Sequence, residues 1–398
     1  MYRFASSHQY AVPEGHTGVR EPTRAGGAEA AGARERQVSN PYLMFFPYLP
    51  LKGSYALGHW QIVPASTYSG PWASTPFEEL SRTFLGAFRD ATEQPFREAH
   101  LLVHESRGAD GKLPRPATIT AIQSAVNFAT LDSHPDPNSD NAGWGTPTTD
   151  NSEVFIWPID VVDGRVSLGR GSIVPVIAGG FRITSSLTVP APQELQMPFG
   201  VALDQELLAA FYQLGTRRFS GDDALTRGRL VVAADWLAQA WRNSPSIRPP
   251  HRIVFLKTGF EALTDTSDSW QSAKRLRRLF ETALAGESDL GVANFLWSPK
   301  ETERHTVRVK QHDHQATDLQ DWFMAFSKVR NTIIHDGLTP KLIYRKRGSS
   351  YNGNMIMTAE RLLRESIKVS MGGLGYPHLG RTPLARAIHR AFPPGEDS

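Results

Sequence analysis

The spacing of apolar positions changes once along the chain. Between about residues 40 and 200 they fall in short runs or alternate with polar residues, a period of two that predicts strands. The runs are "YLMFFPYLPL" (42–51), "HWQIVPA" (59–65), "AHLLVHES" (99–106), "SEVFIWPIDVVDGRVSLG" (152–169) and "GFRITSSLTVP" (180–190), bounded by Gly, Pro, Asp and Ser. Asp163-Gly164 is a two-residue hairpin signal. One helix, "TPFEELSRTFLGAFRDAT" (75–92), interrupts the strands, and "DSHPDPNSDNAGWGTPTTDNS" (132–152) has the composition of a long exposed connection.

After residue 203 the period becomes helical. "DQELLAAFYQLG" (204–215), "LTRGRLVVAADWLAQAWRNS" (225–244), "PHRIVFLKTGFEALTD" (250–265), "SWQSAKRLRRLFETALAG" (269–286), "TDLQDWFMAFSKVRNTIIHDG" (317–337) and "TAERLLRESIKVSM" (358–371) repeat apolar residues three and four apart. A polar stretch near 286–317 separates the fourth helix from the fifth, with a strand expected at "HTVRV" (305–309) and "HDHQ" (312–315) read as loop. The expectation is an α+β protein: a leader over 1–38 rich in Gly, Ala, Glu and Arg and read as disordered, a β-rich domain over 39–203, and a helical bundle over 204–398 with an insertion near 286–317.

Composition changes this picture in two ways. With 398 residues and no cysteine, disulfides, thiolate metal sites and a cysteine nucleophile are excluded. No apolar run reaches the roughly 20 residues that span a bilayer, and no signal peptide stands at the N-terminus, so the expectation is a soluble, cytoplasmic protein with no membrane partner. The net charge of +3 is divided unevenly: −4 over residues 1–200 and +7 over 201–398, which makes the helical half the better candidate to meet a polyanion.

The densest chemistry lies at the end of the fifth helix, "KVRNTIIHDG" (328–337). At about 100° per residue, Leu319, Trp322, Phe323, Phe326, Val329 and Ile333 form one stripe, with Arg330 near its centre. A guanidinium in that position needs an acceptor, because burying it unpaired is costly. In a purely structural role Arg330 makes an internal ion pair, while His335 and Asp336 close the helix before Gly337 and Pro340.

An Arg, a polar residue and a His four to six positions after the Arg, at the end of a helix in an all-α bundle, resemble the signature of the HEPN superfamily, and Arg330, Asn331 and His335 match it. "IVFLKTGFEALTD" (253–265), followed by a helix of mixed basic and apolar residues, is similar to the earlier helices of the Apea-like branch, though Phe260-Glu261-Ala262-Leu263 departs from its "ALE" segment. The resemblance spans about 225–375 and implies a metal-independent endoribonuclease with no cofactor, acting as a homodimer with a composite active site. It also implies a role in anti-phage defence, abortive infection or toxicity by cutting tRNA or other RNA, with the N-terminal domain sensing a phage or cellular trigger or guiding substrate. Glu261 would fix the guanidinium, although Lys257 four residues earlier offers it a simpler partner.

The residue types suit that chemistry. RNA supplies its own nucleophile in the 2′-hydroxyl, and an imidazole, with an ordinary pKa of about 6.5, exchanges protons near neutral pH. An arginine grips phosphate oxygens in two-pronged fashion, and an asparagine orients phosphate or ribose. On an ideal helix Arg330 and His335 lie about 140° apart, whereas Asn331 and His335 are only about 40° apart; fraying at Gly337 would bring His335 round, and a second subunit, the expected answer here, would also complete the site.

Downstream, Lys341, Tyr344, Arg345, Lys346, Arg347 and Tyr351 interleave cations with aromatics and form the candidate RNA-binding surface, against a solvated hairpin of ordinary charge as the plain alternative. Two rival classes stand beside the nuclease. One is a catalytically inactive HEPN module that binds RNA, a nucleotide or a protein partner. The other is a metal-dependent HD-type phosphohydrolase built on His305, "HDHQ", His335 and Asp336.

Overall fold

Alternating apolar positions pair into one antiparallel sheet. In the computed structural model, which describes residues 42–45, 51–64, 100–104, 115–132, 155–162, 165–168, 172–176, 180–184, 202–241, 247–285, 305–309, 311–338, 340–345 and 352–376, that sheet holds eight strands. They are β1 (Tyr42–Phe45), β2 (Tyr55–Leu57), β3 (Trp60–Pro64), β4 (His100–His104), β5 (Phe155–Val162), β6 (Arg165–Leu168), β7 (Ser172–Val176) and β8 (Gly180–Thr184). Their order is β2-β3-β4-β1-β5-β7-β8, with β6 folded back onto β5. The pairing of Val162 with Arg165 brackets the expected hairpin turn. The expected leader over 1–38 and the helix at 75–92 lie outside the described residues.

One helix among these strands departs from expectation: α1 (Pro116–Asp132), whose Ile119, Ile122, Ala125, Val126, Phe128 and Ala129 are buried. It packs on α2 (Gln205–Thr216), where the rings of Phe128 and Phe211 stack at 4.5 Å. The core is therefore continuous across residue 203, running from Leu51, Leu57 and Ile62 through α1 and α2 into the helices beyond. Two further links cross the same point. The Gln205 side chain bonds both the N–H and the carbonyl of Ala56, at 2.9 and 2.8 Å, and the Tyr55 hydroxyl accepts from Leu203 N at 3.0 Å.

The helical part follows the expected segments: α3 (Gly221–Trp241), α4 (Pro249–Thr264), α5 (Ser269–Ala283), α6 (Asp318–Asn331) and α7 (Met355–Gly373). Short polar side chains open several of them: Asp204 caps α2, Asp268 caps α5 and Asn354 caps α7 by accepting from the first free N–H groups. Helices α3, α4 and α7 come together at Gly259, where an added Cβ would stand 2.6 Å from Leu363 Cδ2. A side chain here would press on the buried Leu363. Within this core Phe260 of α4 meets Phe323 and Phe326 of α6 edge to face, at 5.3 and 6.1 Å.

Two small hairpins complete the described chain. Strand β9 (His305–Val309) pairs with β10 (His312–Ala316), so "HDHQ" is strand rather than loop, and β11 (Ile343–Arg345) pairs with β12 (Asn352–Asn354). Among the described residues no helix is long and apolar enough to cross a membrane.

Candidate functional site

Helix α6 positions the motif because both of its ends are determined. At its start Thr317 and Gln320 form a reciprocal capping box: Thr317 N donates to Gln320 Oε1 at 3.0 Å and Gln320 N to Thr317 Oγ1 at 3.4 Å. Leu319, Trp322, Phe323 and Phe326 are fully buried as one stripe, with Val329 and Ile333 packed against the core. At its end the helix widens into a π-helical turn, Thr332–Asp336, whose hydrogen bonds close over five residues instead of four. Gly337 then leaves the helix with φ of 65°, the left-handed stop expected from the sequence.

This widening bears on the angular separation of Arg330 and His335. A five-residue closure sets residues five apart more nearly over one another than an ideal α-helix does, so the offset is smaller than the sequence implied. It does not bring the two onto one wall. A cleft of about 340 Å³ is lined by Ser269 of α5 and by Met324, Ser327, Lys328, Asn331, Thr332, His335 and Asp336; Arg330 stands outside it.

Arg330 is joined to the cleft through its neighbour. Its Nη1 donates to Asn331 Oδ1 at 3.1 Å, and Asn331 is a wall of the cleft. Among the described residues this is the hydrogen bond Arg330 makes, its Nε being shielded from solvent without an acceptor. The half-buried guanidinium has no carboxylate within ion-pair distance among the described residues, so the internal ion pair of the structural alternative is not formed there.

Glu261 is engaged elsewhere. Its Oε1 lies 2.9 Å from Lys257 Nζ, and Lys257 is a lysine with 1% of its side chain exposed, its ammonium 5.1 Å from the centre of the Phe323 ring. Burial holds this ammonium below the usual lysine range; the Glu261 bond opposes that shift, the charge of Arg330 adds to it and Asp268 opposes it. Lys257, Arg330, Glu261 and Asp268 thus share one electrostatic neighbourhood, but the partner of Glu261 is Lys257, as the i,i+4 spacing anticipated, and not the guanidinium.

The basic and aromatic residues downstream divide. Lys341 is exposed. Tyr344 is a correction to the expected base-stacking surface: it is buried and its hydroxyl donates to Asp321 Oδ2 at 3.0 Å, which anchors β11 to α6. Arg345 lies in β11, and Lys346, Arg347 and Tyr351 lie outside the described residues. In α5 the basic run does structural duty, since Arg275 donates to the Thr264 and Asp265 carbonyls at the end of α4 and Arg277 pairs with Glu281 at 2.6 Å.

Among the described side chains, those offered for a metal do not converge. His314 sits against the Trp270 ring at 5.0 Å in the β9–β10 hairpin, whereas His335 and Asp336 close α6. Among the described residues no group of three His, Asp or Glu side chains is disposed to hold an ion.

Sequence reasoning passed over Lys328, Ser269 and Asp336 as cleft residues. Lys328 and His335 are seven positions apart, about 20° on a wheel, so the signal was present in the same decapeptide. No protein-family model, curated protein or solved structure matches this chain.

Proposed function

We propose that the chain is a metal-independent endoribonuclease of the HEPN type. One observation carries the reading: a half-buried arginine without a carboxylate partner among the described residues holds an asparagine that shares a cleft with an exposed histidine. An arginine left without an internal counter-charge is suited to an external anion, and a phosphodiester supplies one.

In this mechanism the 2′-hydroxyl attacks the adjacent phosphorus, the bond from phosphorus to the 5′-oxygen breaks, and the products are a 2′,3′-cyclic phosphate and a 5′-hydroxyl. His335 takes the proton from the 2′-hydroxyl, and a second imidazole protonates the departing oxygen. A homodimer supplies that second group, and the exposed apolar side chains of Ile334 and Leu338 on either side of His335 support such a contact. Lys341 remains a candidate for tracking the RNA backbone. The role in anti-phage defence or toxicity, and trigger sensing by the N-terminal part, rest on the resemblance alone.

The second reading, an inactive module that binds RNA, is favoured by the position of Arg330 outside the cleft that holds His335. Incubating wild type and His335→Ala with total RNA in EDTA separates the two. The nuclease reading expects cyclic phosphate ends from the wild type alone. RNA bound but uncut by both proteins would establish the binding module, and cutting abolished by EDTA would point to metal-assisted hydrolysis.

A further inference from the structure

The cleft carries a cation that the motif does not include. Lys328 is exposed and lines the same cleft as Asn331 and His335, one turn before the asparagine. At the other end stand His335 and Asp336, so a positive charge and a negative one face the same space about two turns apart along α6 and its π turn.

Asn331 has been prepared for one kind of partner. Its Oδ1 already accepts from Arg330, which leaves the two hydrogens on Nδ2 as its free donors. Lys328 and the Asn331 Nδ2 together therefore make one end of the cleft rich in donors, and the carboxylate of Asp336 makes the far end an acceptor. A ribonucleotide linkage has the complementary order, with an anionic acceptor at phosphorus and a hydroxyl donor at C2′.

We propose that this cleft is an oriented subsite for one ribonucleotide linkage, with phosphate against Lys328 and Asn331 and the 2′-hydroxyl toward His335 and Asp336. The proposal rests on the endoribonuclease reading for the identity of its ligand. Within it Lys328 and Asn331 touch phosphate from inside the cleft, while Arg330 holds Asn331 in place and adds its charge from behind that wall.

The test is equilibrium binding of a single-stranded oligoribonucleotide, and of the deoxy strand of the same sequence, to the full chain carrying His335→Ala so that the RNA stays whole. Each lysine–phosphate contact on a single strand contributes about 0.7 to the slope of log affinity against log salt, equivalent to about fivefold in affinity at 0.1 M salt relative to 1 M. Lys328→Gln should therefore weaken both probes about fivefold at 0.1 M salt and flatten the slope by about 0.7, and Lys328→Arg should keep both values. Asp336→Asn should weaken the RNA probe and spare the DNA.

Unchanged affinity and slope for Lys328→Gln would overturn the subsite, and equal effects of Asp336→Asn on both probes would overturn its orientation. Circular dichroism of each variant separates lost contact from lost fold, and the charge-keeping Lys328→Arg is the internal control. If wild type binds in this pattern yet does not cut, the nuclease reading fails and the subsite stands. If it binds neither probe, both fail.

Discussion

Replacing Lys257 by methionine should make the protein more stable, although it removes an ion pair. The ammonium is 99% shielded from water, and its partner Glu261 is 21% exposed. Charged groups lose several kcal/mol of hydration when enclosed, and replacing buried ion pairs by apolar residues of similar size is often neutral or stabilising by about 1–4 kcal/mol. The direction of the Lys257 shift agrees with that sign: burial outweighs the Glu261 bond, so folding penalises the charged form relative to the neutral one.

Because only one partner is removed, and Glu261 retains enough exposure to rehydrate, the lower end applies: a gain of about 1 kcal/mol for Lys257→Met. Glu261→Gln does the opposite, leaving an enclosed ammonium on a neutral amide oxygen, a loss of about 1–3 kcal/mol. Urea unfolding followed by circular dichroism, with midpoints compared at equal m, reads both. A pH series adds a second check.

Below the folded pKa the lysine is charged in both states and the fold carries the penalty. As pH rises from there through the ordinary lysine range, the unfolded chain holds the proton that the folded one has lost, so wild-type stability climbs. The methionine variant lacks that rise, and its advantage should shrink toward high pH. A methionine variant less stable than wild type by about 1 kcal/mol or more would refute the reasoning and make the pair a net stabiliser.

Two other predictions concern how the site is supported. Gly259→Ala should destabilise by about 1–3 kcal/mol in thermal unfolding, because its Cβ would meet Leu363 Cδ2 at 2.6 Å and the Ala233 carbonyl at 3.4 Å in the α3–α4–α7 contact. Tyr344→Phe should cost about 1–3 kcal/mol by depriving buried Asp321 of a donor, and should leave RNA affinity unchanged; reduced affinity with unchanged stability would instead place the hydroxyl in contact with RNA.

Helix α6 was legible because independent signals agree there: Thr317 and Gln320 at capping distance, a continuous apolar stripe and a glycine stop. Helix α1 was not, for the opposite reason. In "PATITAIQSAVNFATLD" the apolar positions surround the helix because it is enclosed on several sides, and β-branched Ile and Val together with Thr imitate a strand. "HDHQ" looked like loop since its pattern is mostly exposed; only the partner strand β9 makes it a strand.

At the candidate site, Arg330, Asn331 and His335 could be picked out by their resemblance to a family signature, and Lys257 could be seen as the partner of Glu261 from the i,i+4 spacing. The π turn has no signature in the residues that form it. Lys328 was hidden by its ordinariness, as a lysine on an amphipathic helix reads as a wetted face. Tyr344 was misread from its basic neighbours, whereas its place next to exposed Ile343 in a short strand turns it inward toward Asp321.

The bond between Gln205 and Ala56 has a consequence for how copies of this chain meet. Among the described residues strand β2 ends the order of the sheet, and a terminal strand offers its amides to any extended peptide that comes alongside. A carboxamide that occupies one residue's donor and acceptor together imitates a neighbouring strand, and it is tethered to a helix that cannot extend the ladder. Sheet growth from one molecule to the next is thereby blocked at this position by a single side chain.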